Sequence, residues 1–447
     1  MPRIIRYVLI STRDLLVTAG PFVLLALALL AGAYFVLQPM PPKRVVLATG
    51  PEQSAYAEFG KLYQAELKRH GILVELLPTH GSYENLRLLR DPKREVDLGF
   101  VQGGSSNAAR AVDEDKGGVP LVSLGSLFFE PVWLFYREQA AHGLPQTTLT
   151  QFSQLQGWRV NFGARGSGTP GLMKKLLAAN GIERDSLKPT YLDLTPAVVA
   201  LLGGELDALA FASAPESPMV QMLMQTPGVK LFEFPQAEAY AHRFPFLSPV
   251  VLPRGVVDLA HDVPPHDVPL IAPTTSLVAR EGTHPALIQL FVQAASRIHG
   301  GAGWISRAGR FPTPQNTEFP LAAEAERYFR SGPPLLQRYL PFWLANLIDR
   351  MWVVLISIIA ALIPLSRVVP PLYEFRVRRR IFRWYRQLRE IENRLAGGDA
   401  PAAGLIEELG RLDARAAHIT VPLSYTDELY NLRSHIALVR ERLRQAV

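Results

Sequence analysis

Cysteine is absent from this 447-residue chain. That excludes disulfide scaffolds, thiolate zinc sites, iron–sulfur clusters and thiol nucleophiles. It leaves the redox compartment open, because a cysteine-free chain can live on either side of a membrane. Also missing are a His-Glu-x-x-His pair, an EF-hand loop and a Gly-rich loop followed by Lys-Ser or Lys-Thr. No Ser-His-Asp arrangement is evident, and no repeat runs at a fixed solenoid period. Charge is sparse at 19%, whereas 48% of residues are hydrophobic. Such a chain can bury ample apolar surface, which excludes disorder as its dominant state. Its length allows two to three domains, or one domain with appendages.

The net charge of +7 invites a nucleic-acid partner, so its placement matters. Residues 1–14 carry +2, residues 367–447 carry +5 with fifteen Arg and no Lys, and residues 15–366 balance at zero. A DNA-binding body concentrates the surplus on the body. Here it sits at the two ends, and no nucleic-acid partner is expected.

Two apolar stretches explain the ends. Leu15–Leu37 is 23 uncharged residues, enough at ~1.5 Å per residue to cross a ~30 Å hydrocarbon core. A cleavable signal peptide competes, since Ala31-Gly32-Ala33 has a small-x-small pattern. The apolar run continues past that point through Leu37, which favours an uncleaved anchor. The second stretch, Tyr339–Ser366, is interrupted by Asp349 and Arg350 and carries Trp343 and Trp352, residues suited to a headgroup belt. A buried core helix is its bland alternative. Arg367, Arg376, Arg378, Arg379, Arg380, Arg383 and Arg386 follow it and favour a membrane span. The positive-inside rule then places both ends in the cytoplasm of a bacterial inner-membrane protein and the neutral body outside, periplasmic or extracellular. The expected layout is a cytoplasmic N-terminus at 1–14, a first membrane helix at 15–37, an outer domain at 43–338, a second membrane helix at 339–366 and a cytoplasmic tail at 367–447.

The outer domain alternates strand and helix patterns. Strands are expected at 44–48, 72–77 and 96–101 with helices at 54–70 and 82–89 between them, and the rhythm returns from Trp158 to Phe234. This argues for parallel βαβ units. Two long extended stretches, Leu121–Arg137 and Val268–Arg280, bracket the second block. They predict two α/β lobes joined by two crossing strands, lobe 1 from about 43–130 and 270–335, lobe 2 from about 131–269.

The most informative motif is Val160-Asn-Phe-Gly-Ala-Arg-Gly-Ser-Gly-Thr-Pro-Gly171. It follows a strand and opens a helix, so its backbone amides and the helix dipole favour an anion. Ser167 and Thr169 add hydroxyls, and Arg165 adds a fork for a carboxylate. Plain turn chemistry with an N-cap is the competing reading. Small polar Gly-rich loops also follow the first three strands, at Thr49–Tyr56, Thr79–Asn85 and Gln102–Asn107. Open α/β sheets bind ligands at these carboxyl ends. Tyr56 and Tyr83 are candidate aromatic walls, or residues of local packing, and Gln102 is a candidate hydrogen-bond partner. The His261-Asp262 and His266-Asp267 pairs lack a third ligand and read as solvated loop. Glu205 and Asp207 read as surface turn residues. Nothing demands an enzyme, a metal or a cofactor.

Taken together, Leu47-Ala-Thr-Gly50 with Tyr56, Pro78-Thr-His-Gly-Ser-Tyr-Glu-Asn-Leu86, Val96-Asp-Leu-Gly-Phe-Val-Gln102, Gly166-Ser-Gly-Thr169 and Gly204-Glu-Leu-Asp-Ala208 resemble the TAXI-type solute-binding receptors of TRAP transporters. The likeness spans roughly residues 43–330. It implies a two-lobed periplasmic-binding-protein-like (type II) fold that closes on a small organic anion, a carboxylate or amino acid. By that resemblance Thr49, Gly50, Tyr56, Ser82, Gln102, Ser167, Gly168 and Thr169 become ligand-binding candidates beside Arg165. A TRAP permease becomes a candidate partner. The chain departs from the family in its second membrane helix and its tail.

In the tail, Ile381, Tyr385, Leu388, Ile391 and Leu395 recur at helical spacing, as do Leu429, Leu432, Ile436, Val439 and Leu443. Ser424-Tyr-Thr-Asp427 resembles a capping box, and a shorter helix is expected near Leu405–Ala416. These predict a small helical hairpin or bundle that packs on itself or docks a cytoplasmic partner. Its Arg-rich start suits an anionic membrane surface. Three functions remain: a tethered receptor serving a transporter, a transmembrane ligand sensor signalling through the tail, and a periplasmic enzyme, for which no catalytic constellation speaks.

Overall fold

The computed structural model describes residues 3–38, 40–105, 118–144, 146–183, 186–397, 401–417 and 425–445. The chain divides into two compact units, Met40–Asn346 and the pair Met1–Pro39 with Leu347–Val447.

Within the larger unit, β1 (Arg44–Ala48), β2 (Leu73–Leu77) and β3 (Leu98–Gln102) are joined by helices Ala55–Lys68 and Ser82–Arg90. They run parallel, with β1 in the middle. All five residues of β3 are buried, as a strand covered on both faces requires. The block repeats in β6 (Arg159–Asn161), β7 (Lys188–Thr190) and β8 (Ala208–Ala212), again parallel and with the first strand in the middle.

Each sheet then takes an antiparallel neighbour from a strand that crosses between lobes. β4 (Leu121–Phe129) is followed after two residues by β5 (Val132–Arg137), which pairs with β8 and with β9 (Val229–Leu231). β11 (Val268–Arg280) pairs with β3 and β4. Its first half contributes Leu270 and Ile271 to a core built on Trp133, Phe135, Leu176 and Leu209. Its second half contributes Leu277 and Ala279 to a core built on Val45, Leu47, Tyr63, Phe100 and Phe291. Burial of each such large side chain contributes about 1.5–3 kcal/mol. Two sheets, two cores and two crossings make a two-lobed α/β fold.

One strand was not expected. β10 (Leu247–Leu252) pairs antiparallel with the first half of β11 at the end of its sheet. Pro249 within it obscures the strand pattern, and an edge position is where a sheet tolerates proline.

In the smaller unit, helix Arg3–Leu37 begins before the apolar run. The segment Leu16–Leu37 and the helix Phe342–Gly397 are each long and apolar enough to cross a membrane. Leu24, Phe35, Ile356 and Ile359 on them are exposed, an arrangement that suits a lipid surround. The second helix continues through Pro364, Pro370 and Pro371 to Gly397 rather than ending near Ser366. Each proline removes a single backbone donor, a local loss in a helix of 56 residues. Helices Ala402–Ala416 and Thr426–Gln445 pack with it around Ile381, Leu388, Leu409, Leu412, Ile436 and Val439. The tail is a three-helix core of its own. Ser424, expected in a capping box, lies outside the described residues.

Candidate functional site

In a parallel βαβ unit each helix starts where a strand ends, so the helix N-termini collect at the carboxyl edge of the sheet. Both lobes turn this edge toward a shared cavity of about 380 Å³, within the size range of small-molecule sites. From one lobe come Pro51–Tyr56 after β1, His80–Ser82 after β2 and Gln102 at the end of β3. From the other come Asn161 at the end of β6 with Ser167, Gly168 and Thr169 after it, Asp193–Thr195 after β7, and Ala212 at the end of β8 with Ser213 after it.

Four helices therefore begin at the cavity wall: Ala55–Lys68, Ser82–Arg90, Thr169–Ala179 and Leu194–Leu202. Ser54 caps the first by accepting from the Ala57 amide at 3.3 Å. The other three, capped by Gly81, Gly168 and Asp193, have no side-chain cap bond. Each helix start carries roughly half a positive charge, and of their first-turn amides Ala57 N is taken by Ser54 and Glu84 N by the Gly166 carbonyl.

The lobes touch around the cavity. The Glu84 amide donates to the Gly166 carbonyl at 3.1 Å, and the Thr195 hydroxyl donates to Gln53 Oε1 at 2.8 Å. His80 Nδ1 lies 3.6 Å from Asp193 Oδ1. Lys175 Nζ donates to the Gly104 carbonyl at 2.6 Å.

Six of the expected positions line the cavity: Tyr56, Ser82, Gln102, Ser167, Gly168 and Thr169. Ser82 Oγ accepts from the Gln102 amide at 2.8 Å and lies 3.1 Å from Ser105 Oγ. Ser167 Oγ donates to the Ala164 carbonyl at 2.8 Å, which closes its loop. Three positions do not line it. Thr49 is buried beneath the wall, where its hydroxyl donates to the Leu77 carbonyl at 3.2 Å. Gly50 lets the chain pass Ser54, whose Oγ would lie 2.7 Å from a Cβ there. Arg165 is exposed and stacks over the Tyr191 ring at 4.5 Å. Tyr83 is likewise outside the lining.

Sequence reasoning missed Glu130, which lines the cavity at the junction of β4 and β5. It is 5% exposed. Its Oε2 accepts from Tyr56 Oη at 2.8 Å and from Thr275 Oγ1 at 2.5 Å, and the Gln102 side chain also bonds the carboxylate. Burial raises the Glu130 carboxyl above its ordinary value and outweighs these three donors. Burial and the neighbouring Glu130 push the Tyr56 hydroxyl well up, so it stays protonated and donates. A lone acid inside the apolar stretch 121–137 was the available signal. Asp193–Thr195 and Ser213 were missed as well, because the loops after β7 and β8 contain no glycine.

Two pinning residues hold the loops. Asn85 Nδ2 donates to the Thr49 carbonyl at 2.6 Å and to the Phe100 carbonyl at 2.9 Å. In the other lobe Asn161 Oδ1 accepts from the Leu192 amide at 2.8 Å and from Thr190 Oγ1 at 3.0 Å. Asp207, expected as a surface turn residue, is a clamp. It takes hydrogen bonds from Arg159 at 2.7 Å and Arg137 at 3.2 Å. Burial alone would raise its carboxyl, but these arginines outweigh it and hold it at about 2. Among the described residues no group of three or more His, Cys, Asp or Glu is placed to hold a metal ion. His261 pairs with Asp258 and His266 with Glu233, all at the surface.

The fold and its cleft define a two-lobed periplasmic-binding-protein-like domain, flanked by two apolar helices of membrane-spanning length. Residues 47–330, more than half of the chain, match the model of the NMT1-like family. The chain belongs to that family. Solved structures similar to it include the periplasmic aliphatic sulphonate binding protein SsuA from Escherichia coli, 17% identical over 71% of this chain and 83% of that one, with a TM-score of 0.36. MatC from Rhodopseudomonas palustris with bound malate is 18% identical over 69% and 96%, with a TM-score of 0.37. The alkanesulfonate-binding SsuA from Xanthomonas axonopodis pv. citri bound to MOPS is 17% identical over 46% and 69%, with a TM-score of 0.34.

Proposed function

We propose that this protein is a membrane-tethered extracytoplasmic receptor that binds a small organic anion, a carboxylate or amino acid, between its lobes and presents it to a TRAP-type secondary transporter. The convergence of four helix N-termini, two from each lobe, on one cavity carries the reading. Uncapped amides from both walls serve an anionic group only when the lobes are together, so ligand binding favours the closed form. Thr49 and Gly50 shape the wall, and Tyr56, Ser82, Gln102, Ser167, Gly168 and Thr169 face the solute. The TRAP partner rests on the sequence resemblance. The charge partition supports two membrane crossings with both termini in the cytoplasm.

A sensor is the second reading. The helix Phe342–Gly397 carries the second apolar span and continues unbroken into the three-helix tail core, and that continuity favours a signal carried inward.

Thermal-shift screening of the full chain in detergent against organic acids and amino acids tests the binding function. A rise of several degrees with at least one solute class is expected, and flat melting throughout would sink it. Co-purification with a TRAP permease, with the tail intact or deleted, separates delivery from sensing.

A further inference from the structure

The charges facing the cavity are unevenly distributed. Glu52, Glu130 and Asp193 line it together with His80 and Tyr56, and no Lys or Arg is among the described lining residues. Arg165, the one cation of the Gly-rich loop, is turned onto Tyr191. Glu52 and Asp193 are exposed, so water screens them. Glu130 is buried.

A buried carboxylate is costly unless it is both hydrogen-bonded and paired. Glu130 meets the first condition through Tyr56, Thr275 and Gln102. All three are neutral donors, so they satisfy lone pairs and leave the formal charge. Two of its neighbours, Tyr56 and Gln102, also line the cavity. Among the described residues no Lys or Arg pairs with it, so this carboxyl borders the space the solute occupies without a partner cation. The helix starts at Gly168–Thr169 and Asp193–Leu194 border the same space with the opposite sign.

We propose that the solute is a zwitterion whose protonated nitrogen docks on Glu130 while its anionic group meets the helix N-termini, so that Glu130 selects against anions lacking such a nitrogen. The inference rests on the receptor reading above and narrows its solute class. A purely anionic solute of the same size would bring its second charge or its apolar end against a buried carboxylate. That juxtaposition costs desolvation with nothing gained.

Matched pairs that differ in the nitrogen test this: L-glutamate with glutarate, L-aspartate with succinate, L-alanine with propionate, and 4-aminobutyrate with butyrate. Each is titrated onto the full chain in detergent by thermal shift and calorimetry, alongside native mass spectrometry of the purified protein. The expected result is binding by the amine-bearing member of a pair, at least tenfold tighter than its partner, and a loss of at least tenfold in Glu130→Gln. The wild-type comparison needs no variant, so a misfolded Glu130→Gln would leave the test intact. Equal binding by the amine-free partners, or a co-purified solute without a basic nitrogen, overturns the selectivity and leaves the receptor standing. Binding by no member of any pair, with no co-purified small molecule, overturns the receptor reading and this inference with it.

Discussion

Gly168 faces Gln102 across the cleft so closely that a Cβ at 168 would overlap Gln102 Oε1 and lie 3.0 Å from its Cδ. Gln102 is 2% exposed and bonds Glu130, so it has no free path of retreat. The close approach of the two lobes thus depends on the missing side chain. Gly168→Ala is expected to weaken solute binding at least tenfold while shifting melting by only a few degrees, because separating the lobes relieves the clash. Calorimetry with a bound solute, paired with melting of the empty protein, checks it. Unchanged affinity would contradict it.

Glu130 carries a stability cost. Its folded carboxyl titrates above the ordinary 4.5 because burial penalises the charge. A group raised in the folded state contributes stability below its unfolded value and loses that contribution as pH rises through its folded value. Wild type should therefore lose stability relative to Glu130→Gln as pH climbs from about 4.5 to neutrality. Melting curves of both across that range read the difference. A constant gap would argue against it.

His299 gives the opposite slope. It is packed 4.5 Å from the Phe59 ring and 5.5 Å from Phe128, its Nε2 has no hydrogen-bond partner, and burial lowers it to about 3. The unfolded chain takes up this proton near 6.5 and the folded chain does not until about 3. Stability is present above 6.5 and falls as pH drops between those values, by up to about 1.4 kcal/mol per pH unit. His299→Phe should flatten that acid limb, as denaturant unfolding at pH 5 and pH 8 would show.

The Asp207 clamp joins β5, β6 and β8 through Arg137 and Arg159. Asp207→Asn is expected to cost about 1–3 kcal/mol, since it removes charge-assisted hydrogen bonds from a site only 16% exposed. Because its folded value is depressed, the contribution is present above 3.8 and is lost as pH falls toward 2. Urea unfolding at pH 7 measures it. A loss seen at low salt and abolished at high salt would contradict a partly buried clamp.

The missing cysteines make the topology directly testable. Leu259 is 88% exposed on the binding unit and Tyr430 is 68% exposed on the tail. In intact cells a membrane-impermeant maleimide should label Leu259→Cys and spare Tyr430→Cys until the cells are broken. The reverse pattern would invert the proposed orientation.

The β1–β3 and β6–β8 blocks were legible because strand and helix periods are local properties, readable from a few consecutive side chains. The Gly-Ser-Gly-Thr loop at 166–169 was legible for the same reason: it stands between a strand and a helix. Glu130 was hidden, although it sits in plain view in the sequence. Whether an acid in an apolar run faces solvent, a core or a ligand depends on Tyr56, Gln102 and Thr275, which lie up to 145 positions away. Arg165 shows the converse. Its loop position suggested a carboxylate fork, but Tyr191 from the next strand connection offers its ring.

The sequence by itself determined the two apolar runs, the neutral body between basic ends, and the alternation that makes two α/β lobes, because each is a matter of composition or short-range period. Tertiary structure alone decided which side chains border the cavity and with what sign. Side-chain direction at a cleft is set by packing between segments distant in the chain. No period or motif encodes that a buried carboxyl, Glu130, stands in the cavity wall at the crossing between the lobes.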